Sequence, residues 1–284
     1  MTAVQTLLAG LFDYAGLYPP ASLSLQAAAN NYLEYRRGQH SSALGRFILN
    51  MDRLDEFRSV AGDSMKDFKL SVIASEDADW ASLSAQLRSG LPIDAVEVKC
   101  GDAHRIERIS NEIPRGLETY FEVPMGACAR PALMAIRAAG ARAKLRMGGV
   151  VPAAIPSVID VVETLKTLAE LRIPFKATAG LHHPFRSTQP LTYQPQCPTA
   201  VTHGFMNLYG ASTLSHFGAS IDETVLMLAE EVSSTWSVGE DSMSWRDRSW
   251  TTEQIAMVRQ TFFISIGSCS FEEPIRDLQS LGWL

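Results

Sequence analysis

The sequence predicts a (β/α)8 barrel. Strand-like apolar runs recur from residue 46 at intervals of about 22–32 residues. Each of the first five is followed by a helical pattern, the alternation that parallel strands need. A length of 284 residues suits one such barrel. A doubly wound open sheet is the alternative reading of the same alternation.

The elements follow in order. Residues 1–40 read as an N-terminal helical extension and 41–284 as the barrel. In the extension, a short apolar helix over about 3–12 leads into Asp13-Tyr-Ala-Gly-Leu-Tyr-Pro-Pro20. Ser22 or Ser24 then caps an alanine-rich helix reaching Arg37. Strands are expected near 46–50, 68–73, 93–100, 117–123, 142–147 and 174–180. After the sixth, residues 181–203 form a polar segment with four prolines, too long for a plain connection and expected to act as a lid. Helices over 204–217 and 221–232 follow. A seventh strand is expected at Ser242-Met-Ser-Trp-Arg246, a helix at 252–260, and an eighth strand at Phe262–Ile266. The last helix opens at Ser270-Phe-Glu-Glu273, where Glu273 is expected to reach back to the cap backbone.

Composition excludes several function classes. A net charge of −6 and the lack of any basic run argue against nucleic acid. No apolar run is long enough to span a bilayer, and the start lacks the positive region of a signal peptide. The four cysteines are scattered without a Cys-x-x-Cys pair, which fits reduced thiols and a cytoplasmic location. The partner expected is a small anionic metabolite, with no nucleic acid and no membrane; a homo-oligomer is compatible with the sequence.

Lysine is rare: six against nineteen arginines. Lys69 opens one predicted strand, and three others of the six, Lys99, Lys144 and Lys176, lie further inside predicted strands. Strand parity decides where they point. If Val96, Val98, Phe121, Val123, Leu145, Met147, Phe175 and Ala177 face the helices, then Glu97, Lys99, Tyr120, Glu122, Lys144, Arg146, Lys176, Thr178 and Gly180 face the axis. Four adjacent strands then carry four cations and two carboxylates inward. A lumen of that sign favours a small anion. An internal ion-pair ladder serving only the fold is the competing reading, although buried pairs stabilise poorly compared with apolar packing.

Lysine chemistry is the sharpest expectation, because a desolvated lysine can lose its proton and attack a carbonyl. The run Phe175-Lys-Ala-Thr-Ala-Gly-Leu181 resembles the sixth strand of deoxyribose-phosphate aldolase. It shares the lysine, a hydroxyl two places on and a glycine four places on; that family's second lysine on strand seven has no counterpart here. The resemblance implies a Schiff-base amine at Lys176, with Lys144 lowering its pKa by like-charge repulsion. Separately, Asp13-x-Ala-x-Leu-x-Pro-Pro20 resembles a motif of bacterial barrel proteins without an assigned activity, and implies the barrel fold alone.

The expected site is therefore catalytic at Lys176, Lys144, Glu122, Glu97 and His182. Substrate binding is expected from Lys99, Arg146, Thr178, His183 and His203, and from Ser268 and Ser270 at the start of the last helix, a common anion site in barrels. The chemistry expected is lyase or aldolase-like on a small anionic carbonyl, hydroxy-acid or phosphate compound, with no cofactor. One alternative is a divalent metal on Glu97, Glu122, His182 and His203, serving a lyase, isomerase or hydrolase. Another is a ligand-binding barrel without turnover. Cys269 has no partner base identifiable from the sequence.

Overall fold

The computed structural model describes residues 1–284. Seven parallel strands come first: β1 (Phe12–Tyr14), β2 (Leu44–Asn50), β3 (Leu70–Ala74), β4 (Ile93–Lys99), β5 (Glu118–Glu122), β6 (Arg142–Arg146) and β7 (Phe175–Thr178). A hairpin of β8 (Ser187–Pro190) and β9 (Thr199–Thr202) follows. Then comes a three-stranded antiparallel sheet of β10 (Trp236–Val238), β11 (Ser242–Trp245) and β12 (Arg248–Thr251). β13 (Phe263–Ser268) pairs with both β7 and β1 and closes an eight-stranded parallel barrel. The chain folds as a (β/α)8 barrel.

Helices α1 (Ala3–Leu8), α2 (Leu25–Arg37), α3 (Leu54–Ala61), α4 (Trp80–Arg88), α5 (Ala103–Glu112), α6 (Arg130–Ala138) and α7 (Val158–Leu171) precede the hairpin. After it come α8 (Phe205–His216), α9 (Ile221–Ala229), α10 (Thr252–Thr261) and α11 (Glu272–Ser280). Side-chain caps set many of the starts: Ser24, Asp79, Asp102, Ser157 and Ser220 each accept from the backbone N–H three residues on. α8 is buried from Phe205 to Ser215, and α7 and α9 pack against it. Asn207 Nδ2 donates to the carbonyls of Met227 and Glu230, satisfying both in that dry layer.

The first and seventh barrel strands differ from the expectation. Phe12–Tyr14, inside the expected helical extension, is the first barrel strand, so a boundary at 40 cuts the barrel. α1 ends at Leu8, and Gly10 takes a positive φ of 59° that turns the chain into β1. All three residues of β1 are buried, so they show no alternation to recognise. Ser242–Trp245 lies outside the barrel. Met243 and Trp245 are buried while Ser242 and Ser244 are half-buried, the period-two pattern of an antiparallel strand with one wet face. Barrel strands are covered on both faces.

Arg259 fastens the lower end. Its side chain, 8% exposed, donates to the carbonyls of Leu7, Ala9, Phe263 and Ile264, linking α1 to β13. Burial lowers its pKa to about 10, against the opposing pull of Tyr209, Asp13 and Tyr120. Arg259→Met should cost about 3–5 kcal/mol in urea unfolding, because two buried and two part-buried carbonyls lose their donor together. A loss under about 1 kcal/mol would show that water replaces it.

Candidate active site

Strand parity places the expected side chains in one lumen. Lys176 Nζ lies 2.5 Å from Asp13 Oδ2 and 2.7 Å from Glu97 Oε1. Lys144 Nζ lies 2.7 Å from Glu97 Oε2 and 3.1 Å from Glu122 Oε2. Arg146 Nε donates to Glu122 Oε1 at 2.8 Å. The result is an alternating chain, Asp13–Lys176–Glu97–Lys144–Glu122–Arg146, with three charges of each sign. It runs from a fully buried Lys176 to a half-exposed Arg146. Further donors complete the carboxylates. Ser71 Oγ donates to Glu97 at 2.6 Å, and Ser265 Oγ and the Arg46 N–H each donate to Asp13 at 2.7 Å. The Tyr120 ring lies 5.4 Å from Lys176 Nζ, within cation–π range.

This geometry corrects the expectation for Lys176. Burial by itself would lower its pKa, but Asp13 and Glu97 hold it well above the usual lysine range. Conversely, burial pushes Glu97 up, and Lys144 and Lys176 hold it well below the usual carboxylate range. Glu122 is likewise lowered by Lys144 and Arg146 against burial. Like-charge repulsion from Lys144 does not reverse this order, because Glu97 sits between the two ammonium groups. A Schiff base needs a free amine facing the substrate, and Lys176 is an enclosed ammonium. The lumen is also not cationic by two charges: Asp13 balances the chain, leaving Lys99 as the additional cation. Asp13 escaped the count because its strand did.

Above the chain of charges lies a cavity of about 490 Å³ at the C-terminal end of the strands. Lys99, Glu122, Lys144, Arg146 and Thr178 line its floor and one wall. Tyr18, Pro19 and Pro20 reach it from the β1–α2 loop, with the Tyr18 hydroxyl donating to Asn50 Oδ1 at 2.8 Å. The β8–β9 hairpin contributes Gln189 to Tyr193 from above, so the segment expected as a lid does overlie the mouth, as a paired hairpin. Gly148 and Gly180 let the exits of β6 and β7 touch: a Cβ on Gly148 would stand 3.0 Å from Gly180 Cα. Ala179 beside them takes a φ of 63°, a costly conformation for a residue with a Cβ, held at the cavity wall.

Beyond the ends of β7 and β13 the cavity wall carries a group the sequence did not reveal. His182 Nδ1 lies 2.8 Å from Glu273 Oε2, and His182 Nε2 lies 3.8 Å from Cys269 Sγ. The Tyr193 hydroxyl is also 3.8 Å from that sulfur. All four side chains border the cavity. Glu273 therefore turns to His182 instead of reaching back to its cap. Ser270 Oγ still accepts from the Glu273 N–H, so the box is half formed. Burial by itself would lower the His182 pKa; the hydrogen bonds to Cys269 and Glu273 raise it to about 10. Both contacts favour the protonated ring.

That shift predicts a pH dependence of stability. The folded pKa exceeds the unfolded value of about 6.5, so its contribution is fully present below about pH 6.5. It is lost as pH rises through about 10. Urea titrations of the wild type should show stability falling across that window, and His182→Gln should remove the slope. An unchanged slope in the variant would assign it to other groups.

The remaining expected residues separate. His183 borders the cavity and pairs through Nδ1 with Asp277 Oδ2 at 2.7 Å. His203 does not reach the cavity. It is fully buried, with Nε2 donating to the Pro156 carbonyl at 2.9 Å and Nδ1 3.4 Å from Arg186 Nη1. Burial lowers its pKa, which suits a neutral ring anchoring the base of the hairpin. Ser268 and Ser270 also stay outside. Ser268 Oγ donates to the Ser270 carbonyl at 2.7 Å, so these hydroxyls shape the turn that carries Cys269. The alternative metal set of Glu97, Glu122, His182 and His203 does not converge, and no three histidine, cysteine, aspartate or glutamate side chains form a metal-holding group. All four cysteines are free. No helix is long and apolar enough to cross a membrane.

No protein-family model matches the chain, and no curated protein matches it. Among solved structures it is similar to a FabK mutant from Thermotoga maritima, at 16% identity, over 65% of this chain and 59% of that one, with a TM-score of 0.38. The chain thus spans under two thirds of that structure's length, and at this distance the likeness carries no chemistry.

Proposed function

We propose that this protein is an enzyme acting on a small anionic carbonyl compound in the cavity beneath the β8–β9 hairpin, with His182 as its acid–base group. One observation carries the reading: the His182–Glu273 pair and the cations Lys99 and Arg146 border the same cavity of about 490 Å³. An imidazole oriented by a carboxylate, in one cavity with an anion grip, is the arrangement that proton transfer to a held substrate requires. The paired charges of the lumen supply a fixed electrostatic floor. Lys144, at its surface, is aimed at oxygen charge developing in the reaction.

Lyase or aldolase chemistry remains within this reading, with the proton moved by His182 and the carbanion or alkoxide stabilised by Lys144. Covalent chemistry at Lys176 is disfavoured, since its proton is held between Asp13 and Glu97. A metal-dependent reaction gains no support from the ligand geometry. The test is a thermal-shift and turnover screen with small keto acids, hydroxy acids and phosphate esters, each beside its neutral analogue. Anionic compounds should raise the melting temperature, and Lys99→Met with Arg146→Met should abolish the rise. Equal binding of the neutral analogues would remove the anion reading; binding without any turnover would leave a binding barrel.

A further inference from the structure

We propose that Cys269 is a covalent nucleophile in a Cys269–His182–Glu273 triad, making this a thiol-dependent acyl-transfer site for small anionic esters. The inference rests on the reading above for the location and charge of the substrate and adds the nucleophile and the bond that is cleaved.

The geometry has the three parts such a site needs. The nucleophile is Sγ, 3.8 Å from His182 Nε2 and at the cavity wall. The base is His182, and its orienter is Glu273 at 2.8 Å on the other ring nitrogen. The three come from the exit of β7, the β13–α11 connection and the first turn of α11, so barrel closure assembles them. The titratable groups facing the sulfur and ring are Tyr14 from β1, Tyr193 from the hairpin, His183 from the β7 exit, and Glu272 and Glu273 from α11. A protonated His182 fits this surrounding because Glu273 and the sulfur both accept from it. Cys100 is buried just after β4, and the Cys128 and Cys197 thiols donate to the backbone carbonyls of Met125 and Thr192.

The reaction balances without an oxidant. The thiolate adds to the ester carbonyl carbon, forming a C–S bond as the π pair moves to oxygen. Collapse restores C=O and breaks the bond to the leaving oxygen, which takes the proton of His182 Nε2 and departs as alcohol. Water then adds to the thioester carbonyl and gives its proton to Nε2. The C–S bond breaks and releases a carboxylic acid and the thiolate. Tyr193, 3.8 Å from the sulfur, is placed to donate to the transient oxyanion.

The test uses the full chain with iodoacetate, iodoacetamide, the para-nitrophenyl monoester of succinic acid and neutral para-nitrophenyl butyrate, read by peptide mass spectrometry. Cys269 should react with iodoacetate near neutral pH on the order of 10-fold or more faster than Cys128. His182→Gln should erase that advantage while the Cys128 rate, an internal check of the fold, stays unchanged. The succinate monoester should leave an acyl adduct on Cys269 that is absent in Cys269→Ser. For Glu273, a positioning residue, the readout is the NMR titration of the His182 ring, which should move down in Glu273→Gln. Labelling of Cys269 at the Cys128 rate, or equally in His182→Gln, overturns the triad even if anions still raise the melting temperature. Fast, His182-dependent acylation by the butyrate ester as readily as by the succinate ester supports the triad and sinks the anion reading instead.

Discussion

Lys176→Met is expected to destabilise the protein by about 3–5 kcal/mol, since it leaves Asp13 and Glu97 as buried carboxylates without their shared counter-ion. At this chain length that is a fall in melting temperature of roughly 6–20 °C. The cause is the unpaired charge, so Asp13→Asn with Glu97→Gln in the same background should return much of the loss. Calorimetry on the single and triple variants measures it. The pH dependence has a definite sign. Lys176 has a raised folded pKa, so its stabilisation is present below about pH 10.4 and is lost as pH rises through the folded value. Glu97 has a depressed one, so its stabilisation is present above about pH 4.3 and is lost as pH falls. The deficit of Lys176→Met should therefore shrink toward acid pH, where the stranded carboxylates protonate. A near-neutral substitution at pH 7, or a borohydride-trapped adduct on Lys176, would revive the amine.

His182→Gln should lower turnover of any substrate found in the screen by about 10²–10⁴-fold. The Michaelis constant should change far less, because on the proposed reading Lys99 and Arg146, which also line the cavity, bind the anion. Melting of the variant should stay close to wild type near pH 9, where the imidazolium contribution is already waning. Full turnover without His182 would move the acid–base role to Glu122, which also borders the cavity.

The barrel was legible because seven of its strands are apolar runs long enough to recognise, with helical patterns between most of them. Parity then placed Glu97, Glu122, Lys144, Arg146 and Lys176 inward, and the structure joins these five in one chain of ion pairs. β1 was not legible, being three buried residues with an acid at the centre. That omission changed the chemistry expected at Lys176: Asp13 turns a crowd of cations into a balanced chain, and a reactive amine into a held ammonium. Ser242–Trp245 had strand character, but its alternation belonged to a different sheet.

By itself, the sequence determined the periodicity, the inward set of charges and the C-terminal end at which loops would gather, because these are local properties of spacing and side-chain direction. Only the tertiary structure decided which charge meets which. Lys176 and Asp13 are 163 residues apart, and His182 and Cys269 are 87 apart. A pKa depends on what stands within a few ångströms, and that neighbourhood is set by closing β13 onto β1 and β7. The same closure brings a histidine, a thiol and a carboxylate together where no sequence spacing relates them.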